Sequence, residues 1–252
     1  MGKLLEILLQ FFEKSIKQPF ISSFITDARW KMLLSGFGNT LLITLMAALI
    51  GIFIGIIVAV IRTTYDNNLE TWSKRGGLGF LIMRFLNWLC KIYLAVFRGT
   101  PVMVQLLIAY LIILSNVDNT LIVAIFAFGI NSGAYVAEIM RSGIMSIDKG
   151  QIEAGRSLGF NYAQTMIRIV LPQALKNTLP PLLNEFIALL KETSVAGYIG
   201  VRDLNKAGEL IRGVSFEIFM PLFAVAAIYL CVVLLLTYLV GKLERRLRRS
   251  DH

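Results

Sequence analysis

The sequence has 252 residues, of which 56% are hydrophobic and only 16% charged, and its formal net charge is +9. A soluble domain averages about half apolar and about a quarter charged residues, so the composition excludes an ordinary soluble protein. The cations flank apolar blocks, which is typical of a membrane protein and not of one that binds nucleic acid. Because the only histidine is His252 and the two cysteines lack metal-binding spacing, histidine-based catalysis and most metal sites are excluded.

The predicted elements, taken in chain order, are all helices. Leu4 to Ile16 carry apolar side chains at helical spacing with charges between them. This pattern predicts an amphipathic helix at the membrane surface, within a peripheral segment of residues 1–35. Apolar blocks then predict five membrane spans. These are Gly38 to Ile61, Phe80 to Leu114, Leu121 to Met140, Leu179 to Gly197 and Ile218 to Val240.

The segments between these spans set the predicted topology. A polar loop with a Gly-Gly turn is predicted from Thr63 to Gly79. The second block is too long for one straight span, and Arg98-Gly99-Thr100-Pro101 predicts a break in it. The membrane domain is predicted over residues 36–243, with a basic tail at 244–252. Five cations between Lys242 and Arg249 predict that the C-terminus lies in the cytoplasm. With five spans, the N-terminus is then predicted to lie outside, although cations near the N-terminus oppose this orientation.

A polar stretch between the third and fourth spans, residues 142–177, has strong helix signals. Asp148 and Gln151 have the spacing of a capping box, and Gly159 lies where the residue after a helix needs a left-handed backbone. These signals predict a helix from Lys149 to Leu158. Asn161 and Gln164 repeat the capping box, which predicts a second helix that ends near Pro172.

The first of these helices has two possible roles. Ala154 and Gly155 are small and adjacent, so another protein surface can approach the helix closely, and Glu153 can pair with a cation on that surface. An ordinary surface helix with a solvated Glu153 explains the same residues. Spacing alone leaves both roles open.

The motif Ile152-Glu-Ala-Gly-Arg-Ser-Leu-Gly159, followed by Ile169-Val-Leu-Pro172, resembles the EAA loop of binding-protein-dependent ABC importer permeases. Gly155 stands where alanine is usual, a difference that we expect to cost little because both residues are small. The resemblance implies that this helix sits in a groove of a cytoplasmic ATPase and transmits its closure to the membrane helices. The docking residues that it implies are Gln151, Ile152, Glu153, Ala154, Gly155, Arg156, Leu158 and Gly159. We call residues 142–177 the coupling segment.

Three further stretches, Val96 to Gln105, Gly133 to Arg141 and Asn184 to Ser194, resemble polar amino-acid permeases of the histidine, glutamine and arginine type. The resemblance extends over residues 36–243. It implies an all-α fold with five core spans in a bacterial inner membrane. It also implies a second permease subunit, which is either the same or a related chain, and an extracytoplasmic amino-acid-binding protein. The outward segment Tyr198 to Glu217 mixes both charges and is the predicted contact for that binding protein.

The fourth predicted span carries an unusual polar face. Asn184, Glu185, Lys191 and Glu192 fall within an arc of about 120° on a helix, and Thr193 follows them. Charged groups at membrane depth usually face a cavity or a partner. This face is therefore either a pathway wall for an amino acid or a paired Lys–Glu set that fastens the permease dimer, and the sequence leaves both open. Weaker pathway candidates are Arg98, Gln105 and Glu138, of which Glu138 can also form a surface pair with Arg141.

The sequence predicts the permease subunit of an ATP-driven importer for polar amino acids. The chain has no GxxxxGK[ST] phosphate-binding loop, so ATP and Mg²⁺ are expected on a separate ATPase dimer, with no cofactor in this chain and no enzyme activity of its own. The alternative is a secondary transporter or channel for small polar solutes, which would need a coupling-ion site but no capped cytoplasmic helices.

Overall fold

The computed structural model describes residues 13–248, and every regular element in that range is a helix. The predicted all-α class is confirmed. Most of the predicted amphipathic helix, Leu4 to Ile16, lies outside the described residues. From Glu13 to Ile25 the chain forms short α- and π-helical turns, after which Asp27 and Ala28 take positive φ angles of 54° and 52°. These two residues turn the chain into the first long helix.

Nine α-helices follow, within the described range, several of them joined by single π- or 3₁₀-turns. They are α1 (Trp30–Arg75), α2 (Leu78–Gly99), α3 (Val102–Ile108), α4 (Thr120–Met145), α5 (Lys149–Ser157), α6 (Tyr162–Thr165), α7 (Leu171–Glu192), α8 (Leu204–Ser215) and α9 (Phe219–Arg248). Among the described residues, α1, α2, α4 and α9 are long and apolar enough to cross a membrane. A π-turn, Ala109–Ile113, extends α3, and another, Met166–Val170, joins α6 to α7.

Two glycine pairs fix the packing of α1 on α4. Each helix has a Gly-x-x-x-Gly motif, and each of the four glycines faces the other helix. The facing pairs are Gly51 with Ser132, Gly55 with Val136, Gly129 with Ile50 and Gly133 with Ile54. A β-carbon at Gly129 would lie 2.8 Å from Cγ2 of Ile50, so only glycine allows this approach. Because residue numbers rise together along both helices, α1 and α4 run parallel.

The parallel arrangement of α1 and α4 constrains what lies between them. Two parallel helices need a return crossing between them, and α2 and α3 together provide one, interrupted at Thr100 and Pro101. The predicted break in the second block is therefore confirmed. In contrast, α7 runs antiparallel to α4, because Ser146 contacts Asn177 near one end and Ser132 contacts Glu185 further along. The total of five crossings stays a prediction.

The structure corrects three predicted boundaries. Residues 63–75, predicted as loop, extend α1, because no helix breaker occurs before Gly76 and Gly77, whose φ angles are 60° and 101°. The second coupling helix does not end near Pro172 but continues into α7, since the π-turn before Pro172 gives the proline ring room. The fourth predicted span, Leu179 to Gly197, is instead α7 followed by a 3₁₀-turn, Thr193–Ile199.

Two predicted domain boundaries fall inside helices. The boundary at 35/36 lies within α1 and the boundary at 243/244 lies within α9. Neither is a break in the backbone, because hydropathy changes along both helices without a residue that stops them. The basic tail is helical as far as Arg248, and residues 249–252 lie outside the described range.

Candidate functional site

The coupling segment is held by local caps at both helices. The Asp148 side chain accepts a hydrogen bond from the backbone N–H of Gly150 at 2.7 Å. Gly159, with a φ angle of 83°, follows α5 as predicted. Asn161 and Gln164 form a complete capping box, in which each side chain accepts a 2.9 Å bond from the backbone of the other. The ends of α5 and the start of α6 are thus fixed by the sequence itself.

The predicted docking residues divide between two faces of α5. Most of them are exposed, and Leu158, with 73% of its surface accessible, is the most exposed apolar residue of the group. The exposed residues are Gln151, Glu153, Ala154, Arg156, Leu158 and Gly159, while Ile152 is half-buried. These residues are available to a partner.

Gly155 is the exception, because the structure places it against its own chain. It is buried, and a β-carbon there would lie 2.7 Å from Cγ2 of Thr165 and 3.0 Å from Cδ1 of Ile169. The small residue therefore lets α5 approach α6 of its own chain, not another protein. Alanine at this position would therefore press on Thr165, and the small cost of the difference stays a prediction.

Side-chain contacts tie the coupling segment to the membrane helices. The amide of Asn67 in α1 donates to the hydroxyl of Tyr162, the first residue of α6, at 3.2 Å. The amide of Asn177 in α7 donates to Ser146, just after α4, at 3.0 Å. The first bond ties α6 to α1, and the second ties the two ends of the coupling segment, after α4 and in α7, to each other.

A cavity of about 670 Å³ opens between α4, α7 and the end of α9. Four charged side chains line it, namely Arg98, Glu138, Lys176 and Glu244. Glu138 lies 3.6 Å from Arg98 and 2.7 Å from Arg141, so the predicted Glu138–Arg141 pair exists and also reaches α2. Both signs of charge meet water here, as a zwitterionic solute would require.

The polar face of α7 lies further along this helix than the residues that line the cavity. Asn184 and Lys191 are exposed, while Glu185 and Glu192 are half-buried. Glu185 accepts a hydrogen bond from Ser132 of α4 at 3.1 Å. Within residues 13–248, no ion pair joins Lys191 to either glutamate. A Lys–Glu set paired inside one subunit is therefore absent from the described part of the chain.

Two predicted pathway residues are committed to structure instead. Thr193 is fully buried and donates to the backbone carbonyl of Leu190 at 2.8 Å. Gln105 is 9% exposed, and its amide donates to the carbonyls of Phe97 and Thr100, both at 3.0 Å. The Gln105 bonds brace the break between α2 and α3, whereas the Thr193 bond lies at the C-terminal end of α7, so both side chains are engaged in internal hydrogen bonds.

Asn131 completes that brace and was not singled out from the sequence. Its amide donates to Oε1 of Gln105 at 2.8 Å and to the carbonyl of Phe97 at 3.2 Å. Asn131 is 2% exposed, inside the apolar helix α4. An isolated amide in an apolar span signals a buried partner, and that signal could have identified it.

The segment Tyr198 to Glu217, predicted to face outward, is built around Asp203, the N-cap of α8. Its carboxylate accepts from the backbone N–H groups of Asn205 and Lys206, both at 3.1 Å. The side chain is fully buried, and burial raises its pKa to about 6 despite these hydrogen bonds. By contrast, a hydrogen bond from Lys206 holds the pKa of Glu209 below its ordinary value on the exposed face of α8.

Comparisons with known proteins bear directly on this architecture. Residues 76–249 match the family described as binding-protein-dependent transport system inner membrane component. The chain is 38% identical over 167 residues to the arginine transport system permease protein ArtQ of Bacillus subtilis, covering 65% of this chain and 76% of that protein. It is 39% identical over 170 residues to the L-cystine transport system permease protein TcyB of the same organism, covering 66% and 73%. A crystal structure of an amino acid ABC transporter with histidines superposes with a TM-score of 0.75 at 35% identity, covering 88% of this chain and 98% of that chain.

Proposed function

The chain belongs to the family of binding-protein-dependent transport system inner membrane components, and on that basis we propose that it is the permease subunit of an ATP-driven importer for polar amino acids. The single observation that carries the proposal is the family match over residues 76–249, which includes the whole coupling segment. Relatives named for arginine and L-cystine transport support the substrate class. The same relatives favour this function over a secondary transporter or channel.

The proposed contact with a separate cytoplasmic ATPase is the exposed face of α5. Glu153, Ala154 and Arg156 are exposed on it, and Leu158 adds an apolar end. Both helix ends are capped, so α5 can move as a rigid unit when its partner moves. The hydrogen bond from Asn67 to Tyr162 would pass that movement from α6 to α1. ATP and Mg²⁺ would bind the partner, which leaves this chain without catalytic residues.

The proposed pathway follows α7 from Lys191 and Asn184 to the 670 Å³ cavity lined by charged side chains, which we call the charged cavity. Glu185 and Glu192 can hold an ammonium group, while Lys191 can hold a carboxylate. Arg98 and Glu138 would receive the solute near the cytoplasmic end. In the proposed orientation the C-terminus is cytoplasmic, the segment around Asp203 is outside, and a second permease subunit closes the pathway.

Coupled transport tests the docking surface. We expect Glu153→Lys to release the ATPase or to uncouple hydrolysis from amino-acid uptake in proteoliposomes, because it reverses a charge at the proposed contact. Lys242→Glu is the matched control, since it reverses one exposed charge on α9 outside the coupling segment. Normal coupling in Glu153→Lys, with an ATPase still bound, would place the contact elsewhere. ATP hydrolysis by the purified chain alone would contradict the proposal as a whole.

Near-isosteric changes test the pathway. Glu185→Gln and Glu192→Gln remove charge but keep volume, so the complex should assemble normally and keep basal ATPase activity. Uptake should then fall, or the preference between cationic and neutral amino acids should shift. If the variants dissociate while selectivity is unchanged, the face fastens the dimer. Unchanged uptake and selectivity in both variants would refute the pathway assignment.

A further inference from the structure

A second cavity, of about 280 Å³, lies on the other side of α7 from the charged cavity. It is bounded by α1, the end of α4 and the α6–α7 junction. Its main lining residues are Val60, Thr63, Ile144, Met166, Ile167 and Leu171. We call it the α1–α6 groove. It shares no residue with the charged cavity, and the proposed import function does not use it.

The groove opens on the apolar outer surface of the membrane helices. On the α1 side, Ile56 and Val60 expose 42% and 54% of their surfaces. On the other side, Ile167, Leu171 and Leu175 are exposed at four-residue spacing, by 65%, 37% and 50%. Large apolar side chains exposed in rows on a membrane protein contact lipid chains. The walls of the groove are thus continuous with a surface that faces lipid.

The groove is polar at one end and, on its wall, at Thr63 and Thr64. At the end towards the coupling segment, Asn67 donates to the Tyr162 hydroxyl at 3.2 Å. On the wall, Thr63 is 3% exposed, and its hydroxyl has no hydrogen-bond partner. A buried hydroxyl without a partner costs free energy unless a ligand satisfies it. The groove therefore combines apolar walls with a hydroxyl donor near the boundary with water.

We propose that the α1–α6 groove binds one acyl chain of a membrane phospholipid, with the ester region of the lipid accepting a hydrogen bond from Thr63. In the orientation proposed above, this lipid belongs to the cytoplasmic leaflet. The position follows from the sequence of α1, whose apolar stretch ends at Ile61 and gives way to Arg62. The ester region of a phospholipid lies at the same boundary between apolar and polar surroundings.

Binding here would link the bilayer to the coupling segment. One wall of the groove belongs to α1, and the other begins at Tyr162, the first residue of α6. A bound chain fills the space between them and opposes movement of α6 towards α1. The lipid is thus placed to modulate how α5 transmits movement, independently of which solute is carried.

Photo-crosslinking in nanodiscs tests the proposal with the full chain. The probe is a phosphatidylethanolamine with a diazirine on one acyl chain, and crosslinked peptides are identified by mass spectrometry. We expect wild-type protein to be labelled within residues 60–64 and 162–171. Ala163 also lines the groove. Ala163→Trp therefore places an indole in it and should lower that labelling by at least about tenfold, the factor expected from the loss of roughly two buried methylene groups.

Two further variants make the test specific. Leu175→Trp adds the same ring to the same exposed row but outside the groove, and its labelling should equal that of wild type. Thr63→Val keeps the volume and removes the hydroxyl, so labelling should fall about threefold, and it carries the test if Ala163→Trp does not assemble. Equal labelling in wild type and the groove variants would overturn the proposal. So would labels spread evenly over all exposed helix faces, or a second protein crosslinked at residue 163.

Discussion

Replacing Gly155 by alanine tests whether α5 packs on α6 as the structure shows. The new β-carbon would lie 2.7 Å from Cγ2 and 2.9 Å from Oγ1 of Thr165, and 3.0 Å from Cδ1 of Ile169. The Ile169 methyl is the end of a flexible side chain and can move. Thr165 cannot move easily, because it is 1% exposed and its hydroxyl donates to the carbonyl of Asn161 at 3.1 Å. The contact with Thr165 therefore decides the outcome.

Two opposing contributions set the expected change in the local stability of α5. Alanine favours a helix over glycine by about 1 kcal/mol. Overpacking a tight contact costs about 1–3 kcal/mol. The expected net effect is a loss of about 1 kcal/mol in the local stability of α5, which corresponds to about fivefold faster hydrogen exchange of its amides. Exchange measured by mass spectrometry on the purified full chain gives this number directly.

Matched variants separate the contact from the general effect of alanine. Gly150→Ala makes the same change in the same helix, where the nearest heavy atom to a β-carbon is Oδ1 of Asp148 at 3.1 Å, and exchange should not accelerate. Thr165→Ser removes Cγ2 and keeps the hydroxyl, so the double variant Gly155→Ala with Thr165→Ser should return towards wild type. Exchange in Gly155→Ala as slow as in wild type, or no rescue by Thr165→Ser, would refute the reasoning.

Three other predictions concern caps and buried polar groups. Gln105→Leu removes the Oε1 acceptor of Asn131 and the side-chain donor to the Thr100 carbonyl, and should lower the stability of the purified chain by about 1–3 kcal/mol, measured by thermal unfolding. An unchanged unfolding temperature would show that water replaces these bonds. Asp148→Ala should cost α5 about 1 kcal/mol and speed its hydrogen exchange, and equal exchange would show that the bond to Gly150 contributes nothing. Asp203 has a folded pKa of about 6 against an ordinary value of 3.8, so the folded state binds the extra proton and its stability should fall as pH rises through that interval. Asp203→Asn keeps the N-cap hydrogen bonds but cannot titrate, so the unfolding temperature of this variant should not fall with pH over that interval. An identical fall in the variant and the wild type would assign the pH dependence to another group.

Local signals in the sequence predicted the parts of the fold that depend on neighbours in the chain. The capping box of Asn161 and Gln164 is formed by residues three apart, and it is present as predicted. The break at Pro101 follows from the missing N–H of proline, and it is also present. Such features need no knowledge of tertiary contacts, which explains why they could be read directly.

The candidate site was less predictable because its residues depend on distant partners. Ala154 and Gly155 are equally small, and only the return of the chain through Thr165 decides that Gly155 faces inward. Gln105 looked like a pathway residue because it is polar in an apolar block. Its partner Asn131 is 26 residues away on another helix, so hydropathy alone could not separate a structural amide from a solute-binding one.

The helix α1 was underestimated for a different reason. Hydropathy detects only the part that is apolar, Gly38 to Ile61, whereas the helix has 46 residues. At 1.5 Å per residue it is about 69 Å long, more than twice the thickness of the hydrocarbon core. Its polar end continues because charged residues favour helices nearly as well as apolar ones. At this end of α1, hydropathy therefore predicts where the helix leaves the membrane and not where the helix itself ends.

The interlocked glycines of α1 and α4 also limit which motions the subunit can make. Each glycine seats a side chain of the opposite helix, so sliding one helix along the other by a residue would drive Ile50 or Val136 into a backbone. The two helices are therefore expected to behave as one rigid frame during the transport cycle. We therefore expect opening or closing to involve α7 and α9, which border the 670 Å³ cavity beside that frame. The conformational change of the subunit is therefore expected to have few degrees of freedom, and α1 and α4 form the part that does not move.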